Sequence, residues 1–379
     1  MALLSHIKKE LPQFLNLLEE SVNMDSPSKE KEQNDQVAQW YATQFESIVG
    51  GRSEIIQNQD YGNIVRCTFG QGSKQILIMG HYDTVWPMGE ATKRPFSIKE
   101  NKAYGPGVYD MKAGLLQAFF ALKALRDLDL FPVDTQVVLF INSDEEIGSP
   151  SSRKWIEEEA KRSHVCFVLE PPLEPLGALK TWRKGSGRFY LTVKGISAHA
   201  GVNPESGVSA IEELSHQVLR IHSFTDYANG TTLNVGLIKG GIGANVVAES
   251  AEAEIDVRIK SIEQMKKIEE ELLHLQPVLK DTELSIKGGF IRPPMERTEG
   301  VGLLVSQAKK LGKLLDLDLQ EQGTGGVSDG NFTAACGIPT LDGLGARGGY
   351  AHSPHEFVDI DQIPVRTALL ALLIQELEF

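Results

Sequence analysis

Met79–Gly114, MGHYDTVWPMGEATKRPFSIKENKAYGPGVYDMKAG, holds an imidazole and two carboxylates at positions suited to chemistry. An apolar run, Gln75–Met79, reads as a buried strand that delivers His81-Tyr82-Asp83 at its carboxyl end. Asp110 stands just before a helical pattern that starts near Lys112. Asp144-Glu145-Glu146 follow a second apolar run, Gln136–Asn142, and Glu170 follows a third, Val165–Leu169. Near the C-terminus, Tyr350-Ala351-His352-Ser353-Pro354-His355-Glu356 adds two imidazoles. Taken singly, each group has an ordinary explanation as a helix cap, a solvated acidic turn or a core histidine. Together they line one edge of one predicted sheet, and mixed carboxylates and imidazoles suit zinc, manganese or cobalt. A pair of such ions needs a bridging carboxylate and about two further ligands each.

The elements that must position these groups read as α/β. Leu3, Leu4, Ile7, Leu11, Leu15 and Leu18 mark a first helix, with Pro12 as a kink point, and Val37, Trp40, Tyr41, Phe45 and Ile48 a second, stopped by Gly50-Gly51. Asn63–Thr68 is a further strand, and Lys112–Arg126 a helix with Leu115, Phe119, Leu122 and Leu125 on one side. Continuous apolar strands alternating with helices predict a mostly parallel sheet covered on both faces. The pattern changes near Gly185. Phe189, Leu191 and Val193 alternate with Arg188, Tyr190, Thr192 and Lys194, and the order from there to Lys287 is βαββαβ, a ferredoxin-like unit. After Arg292-Pro293-Pro294 the α/β character returns, with a helix near Val301–Leu315, a Gly-rich loop at Gly323–Gly330 and a last helix within Asp361–Leu377. The expectation is one α/β domain, 1–184 with 292–379, interrupted by an inserted βαββαβ domain at 185–291.

Composition narrows the function classes. A length of 379 residues is long for one core, and 41% hydrophobic with 23% charged residues fits a globular, water-exposed protein. Net charge, 38 − 51 = −13, argues against nucleic acid or an anionic membrane as partner. Cys67, Cys166 and Cys336 form no CxxC pair, so neither a disulfide framework nor a cysteine metal site is indicated. Residues 1–20 mix Lys8, Lys9 and Glu10 with leucines, unlike a signal peptide, and no stretch is long enough to span a bilayer. A cytoplasmic protein is the simplest expectation. Phosphate cradling by Gly105-Pro106-Gly107 or Gly323–Gly330 is disfavoured, because neither has the strand–GxGxxG–helix or GK[ST] context, and no GxSxG elbow occurs.

In order along the chain, HYDTV, GPGVYDMKAG, NSDEEIGS, LEP, SAHAG, GGIGANVV, DVR, GGVSDG and HSPHEF resemble the di-zinc metallopeptidases of the glutamate carboxypeptidase, aminoacylase and succinyl-diaminopimelate desuccinylase family. The likeness is greatest to the glutamate carboxypeptidase branch. It implies a phosphorylase/hydrolase-like α/β catalytic domain with a ferredoxin-like lid that often dimerises. Carried over, His81 and Glu170 resemble the ligands of one metal, Asp110 the bridge, and Glu146 and His352 the ligands of the other. His352 is preferred to His355 because the family ligand stands four residues before a Glu, here Glu356. Asp83 matches the carboxylate that orients the first imidazole, and Glu145 the general base. His199, in Ser197-Ala198-His199-Ala200-Gly201, resembles the lid histidine that donates to the oxyanion, often across a dimer. Arg258 and Asn245, with Lys180, resemble the groups that bind the substrate's carboxylate. Val327 in the Gly325–Asp329 loop and Met111, where some relatives carry a second Asp, are mild departures.

The resemblance thus implies a zinc hydrolase, with two Zn2+ that Co2+ or Mn2+ could replace, cleaving the amide bond of N-acyl amino acids or short peptides with a free, glutamate-like carboxylate. It also implies a homodimer formed through the lid. An aminoacylase of other specificity and a non-catalytic metal-binding assembly module are the alternatives, and the intact Glu145 argues against the second.

Overall fold

In the computed structural model, residues 2–378 are described; Met1 and Phe379, the outer ends of the expected α/β domain, lie outside the described residues. The chain divides into two compact units. Described residues of Met1–Thr181, Arg297–Gly323 and Ser328–Phe379 form the first, and Trp182–Glu296 with Thr324–Val327 the second.

The first unit opens with helices α1 (Ala2–Val22) and α2 (Lys31–Val49) and strands β1 (Arg52–Ile56), β2 (Ile64–Gln71) and β3 (Lys74–His81). Helix α3 (Ala113–Asp127), strand β4 (Thr135–Asn142), helix α4 (Arg153–Ala160) and strand β5 (Val165–Val168) follow. The second unit runs β6 (Gly185–Lys194), α5 (Ala210–Ser223), β7 (Thr232–Gly240), β8 (Ser250–Ile259), α6 (Ile262–Leu273) and β9 (Glu283–Arg292). The first unit then resumes with α7 (Glu299–Lys313), α8 (Gly330–Ala335), β10 (Thr340–Leu341) and α9 (Gln362–Gln375).

The central sheet has the order β1-β2-β4-β3-β5-β10. Strands β4, β3, β5 and β10 pair in parallel, while β1 and β2 add an antiparallel edge. The apolar runs are continuous because both faces are buried. Ile76, Ile78, Val137, Leu139 and Ile141 pack with α1, α2, α3 and α9 on one side. Leu77, Met79, Val138 and Phe140 pack with Ile156 of α4 and Phe332 of α8 on the other. Alternation with period two sends neighbours to opposite faces, and each such side chain contributes about 1.5–3 kcal/mol by leaving water. Two details differ from the expectation. Strand β1, Arg-Ser-Glu-Ile-Ile, carries too little apolar signal to be read as a strand, and forms by pairing with β2. In α1 the buried side runs through Phe14 and Leu17, because Phe14 packs against Phe120 of α3, while Pro12 faces solvent in an unbroken helix.

Parallel register sets the site. His81 of β3 lies opposite Asn142 of β4, and Met79 opposite Val168 of β5, so these strands end level at their carboxyl edge. A separate small sheet, ordered Gly348–Gly349, Phe357–Asp359, Lys102–Tyr104, Ser97–Lys99, brings a C-terminal segment beside the Gly105–Asp110 loop.

The second unit is an antiparallel sheet, β7-β8-β6-β9, carrying α5 and α6, the ferredoxin-like arrangement. Phe189, Leu191 and Val193 are buried in its core with Leu214, Ile221, Ile255 and Leu272, while Arg188, Tyr190 and Lys194 are exposed. Backbone Lys184 N–H donates to Thr324 O at 3.1 Å, which ties Thr324–Val327 to this unit.

A candidate two-metal centre

His81 ends β3 and is buried. Its Nδ1 lies 3.0 Å from the Asp83 main-chain oxygen and 3.3 Å from Asp83 Oδ1. In the neutral ring the proton therefore sits on Nδ1, and the Nε2 lone pair faces outward. Nε2 lies 3.3 Å from Asp110 Oδ1, 3.7 Å from Glu170 Oε1 and 4.0 Å from Glu145 Oε2. The other oxygen of Asp110, Oδ2, lies 3.3 Å from His352 Nε2, which is 3.2 Å from Glu146 Oε1. One carboxylate thus turns each of its oxygens to a different imidazole.

Each side chain is delivered by its element. Asp110 sits in an irregular turn, Val108–Lys112, where Asp110 and Met111 leave helical geometry before α3 begins; the Asp110–Met111 peptide is cis. Glu145 and Glu146 open a single turn after β4, and Asp83 holds it by accepting the backbone N–H of Glu145 and of Glu146, each at 3.2 Å. Ser28 Oγ donates to the same carboxylate at 2.6 Å. Glu170 follows β5, and His352 lies in a loop where both it and Tyr350 take φ near +60°, a conformation uncommon outside glycine. Lys180 is buried, with Nζ 3.8 Å from Glu170 Oε2.

Electrostatics agree with a cation site. Burial alone would push the His81 imidazole down, but Asp110, Asp83, Glu170 and Glu145 overcome it and hold the ring well above its usual value. His352 is pushed up to about 11 by its bonds to Asp110 and Glu146. Burial raises the Glu146 carboxyl to about 7, against the pull of His352. Burial acts in the same direction on Asp110, yet His352 and His81 outweigh it and hold it well below the carboxylate range. Excess carboxylate makes the imidazoles take up protons where positive charge is wanted. His81 Nε2 and Asp110 Oδ1 are both buried, and neither has a hydrogen-bond partner among the described residues. Two groups of donor atoms could each hold an ion, His81–Asp110–Glu146 and His81–Glu145–Glu170. Orphaned buried atoms, excess negative charge and this donor set fit a pair of divalent cations.

Three residues singled out in the sequence lie in the second unit. His199 is exposed, and Gly201 N–H donates to its Nδ1 at 3.1 Å, so the neutral ring carries its proton on Nε2. Ala200 N–H donates to Asn245 O at 3.0 Å, joining the two segments, and the Asn245 side chain is exposed. Arg258 grips Asp256 through Nε and Nη2 at 3.0 and 3.2 Å. Buried Arg183 Nη1 donates to Val327 O at 3.0 Å and fixes the Gly-rich loop, a role with no sequence signal.

Residues 77–376 match Peptidase family M20/M25/M40. The chain belongs to this family. It is 36% identical over 324 residues to carboxypeptidase G2 of Pseudomonas sp. (strain RS-16), covering 83% of this chain and 77% of that one. It is 30% identical over 274 residues to acetylornithine deacetylase of Proteus mirabilis (strain HI4320), covering 66% and 67%. Among solved structures, aminopeptidase PepT from Bacillus cereus ATCC 10987 superposes with a TM-score of 0.79 at 22% identity, over 97% of this chain and 98% of that one. This M20 chain is a metallopeptidase that hydrolyses amide bonds. No helix among the described residues is long and apolar enough to cross a membrane.

Sequence reasoning missed part of the support around the M20 site. The grip of Asp83 on the Glu145–Glu146 turn involves main-chain amides, which no side-chain pattern announces. A buried network behind that turn was also silent: Asp144 accepts from Ser151 Oγ at 2.8 Å and from Ser152, and Asp329 accepts from Asn142 Nδ2 at 2.7 Å and from Ser149. Glu356 appeared in the sequence only as a spacing marker.

Proposed function

We propose that this chain is a zinc-dependent carboxypeptidase-type hydrolase that releases a glutamate-like amino acid from N-acyl amino acids or short peptides. The single observation that carries the reading is Asp110, whose two oxygens each face a different imidazole with Glu145 alongside. In this reading His81, Glu170 and Asp110 would hold one ion, and Asp110, Glu146 and His352 would hold the other. Bound there, two divalent ions would lower the pKa of water and polarise the scissile carbonyl.

Glu145 accepts the proton of the attacking water as the new C–O bond forms, then delivers it to the departing amine nitrogen as the C–N bond breaks. Asp83 holds that base by its backbone amide. His199, with its proton on Nε2, serves as oxyanion donor. Arg258, Asn245 and Lys180 recognise the free carboxylate; for Arg258 this requires the substrate to share or displace Asp256. The likeness to carboxypeptidase G2 supports a carboxypeptidase-type substrate, and the likeness to acetylornithine deacetylase supports a deacylase as second reading.

The first unit is then the catalytic domain and the second a dimerising lid. On the second unit Ile211 and Leu219 of α5 and Leu237 and Ile238 of the edge strand β7 are exposed, an apolar stretch beside an unpaired strand edge that supports a homodimer. Light scattering should give twice the chain mass, and a monomer for Ile238→Lys; a monomeric wild type would contradict it.

The activity is tested by amino-acid release from a panel of N-acyl amino acids, dipeptides and their amides with the zinc-loaded chain. Release from acids and not amides, reduced about 10²–10⁴-fold in Glu145→Gln, is expected. Equal release from the amides would remove carboxylate recognition, and full activity in Glu145→Gln would remove the base.

A further inference from the structure

Glu356 is 1% exposed, and four donors surround its carboxylate. Oε1 accepts the backbone N–H of Tyr109 at 2.9 Å and of Asp110 at 3.0 Å. Oε2 accepts the N–H of Gly107 at 3.0 Å and the Trp86 indole N–H at 3.4 Å. The three amides come from the turn that carries Asp110, almost 250 residues earlier in the chain. An ionised carboxylate has about four lone-pair sites, and this one uses them all.

Local structure explains the reach. Phe357 pairs with Tyr104 in the small sheet, so Glu356 emerges beside the loop that starts at Gly105. That loop is tight: Gly107 has φ +72°, and a Cβ there would meet Thr84 Cγ2 at 2.5 Å. The same residue closes the loop that carries His352, since Glu356 N–H donates to Ser353 O at 3.0 Å. Arg94 fastens this loop a second time, donating to Pro354 O at 3.0 Å while stacking 4.3 Å from the Trp86 ring centre. Glu356 therefore ties together the two loops that bear Asp110 and His352.

A carboxylate is an expensive choice for that tie. It is buried near Asp110, in a region already rich in negative charge, and burying an acid there costs stability that its four hydrogen bonds must offset. The nearby buried cation, Lys112, is itself occupied by Ser21 O and Met24 O at 2.9 and 2.8 Å. We infer that Glu356 is a positioning residue of the two-ion centre. By clamping the Gly107–Asp110 amides to the His352 loop it keeps Asp110 Oδ2, Glu146 and His352 at the spacing one ion requires. The inference rests on the two-ion reading above.

The test uses the full chain as wild type, Glu356→Gln and Glu356→Ala. Apo protein is titrated with Zn2+ against a chromophoric chelator, and amide hydrogen exchange is followed in residues 107–110. Gln keeps the volume and can still accept on one oxygen, but its NH2 would face the Gly107 N–H. Wild type is expected to bind two ions. Glu356→Gln should keep one at wild-type affinity and bind the other about 10–100-fold more weakly, with faster exchange at Gly107 and unchanged exchange in the central sheet. Glu356→Ala should go further in the same direction with faster exchange at Tyr109 and Asp110 as well; if it does not fold, Glu356→Gln decides. Both ions at wild-type affinity in Glu356→Gln would overturn the inference while leaving the two-ion centre standing. Both ions weakened equally, with protection lost throughout, would overturn it in favour of a general structural role. Fewer than two ions in the wild type would overturn the two-ion reading and this inference with it.

Discussion

Each unit buries a glutamate that gathers backbone amides, and the two carboxyls shift in opposite directions. In the second unit Glu213 accepts from Val278 N–H at 3.0 Å, Leu279 N–H at 2.6 Å, Thr282 Oγ1 at 3.3 Å and Gln217 Nε2 at 2.6 Å. Burial pushes its pKa up, but the hydrogen bonds win and it lies below its usual value. In the first unit Glu356 also has four donors, three of them backbone amides, yet burial, with the Asp110 charge beside it, raises its pKa. Hydrogen-bond number does not decide the outcome; the weight of burial does, and at Glu356 the neighbouring Asp110 charge adds to it. The second unit uses its buried acid to fix a loop. The first gathers acids around two imidazoles, an arrangement that a cation completes.

The largest effect that would break this contrast is expected at its centre. Asp110→Ala should bind at most one zinc and lose hydrolysis by about 10³-fold or more, because the carboxylate shared by both positions is gone. Two zinc ions in that variant, by elemental analysis, would end its bridging role.

Proton release sharpens the comparison. At pH 8 the apo centre holds a proton on His352, raised to about 11, while Glu146, at about 7, is mostly ionised. Zinc loading at pH 8 should therefore expel at least one proton, and apparent affinity should rise with pH until that ring titrates. Calorimetry in buffers of different ionisation enthalpy measures the number; zero would mean that His352 is not a ligand.

The smallest effect belongs to the second unit. The Glu213 carboxyl has a folded pKa below its 4.5 reference value, so its contribution is present above pH 4.5 and is lost as pH falls through the lower folded value. Glu213→Gln should cost about 1–3 kcal/mol at pH 7 and flatten this part of the acid dependence. Melts from pH 7 to 3 would show it, and an unchanged acid slope would contradict the assignment.

Much of the fold was legible because buried parallel strands leave continuous apolar runs. Gln136–Asn142 could hardly be read otherwise, and the alternation of Phe189, Leu191 and Val193 announced a sheet with one wet face. His81, Glu145, Glu146 and Glu170 were legible because they follow those strands, whereas Asp110 and His352 sit in loops and were legible by residue type and resemblance. What escaped was carried by the main chain. Asp83 and Glu356 act on backbone amides, identical in every sequence, and the partners of Glu356 lie almost 250 residues away. Strand β1 escaped because tertiary pairing outweighs its weak local preference.

The most direct measurement is anomalous diffraction at the zinc edge from crystals of the zinc-loaded chain. Two peaks about 3.5–4 Å apart, one on each side of the Asp110 carboxylate, are predicted. A single peak, or two that do not share Asp110, would contradict the account.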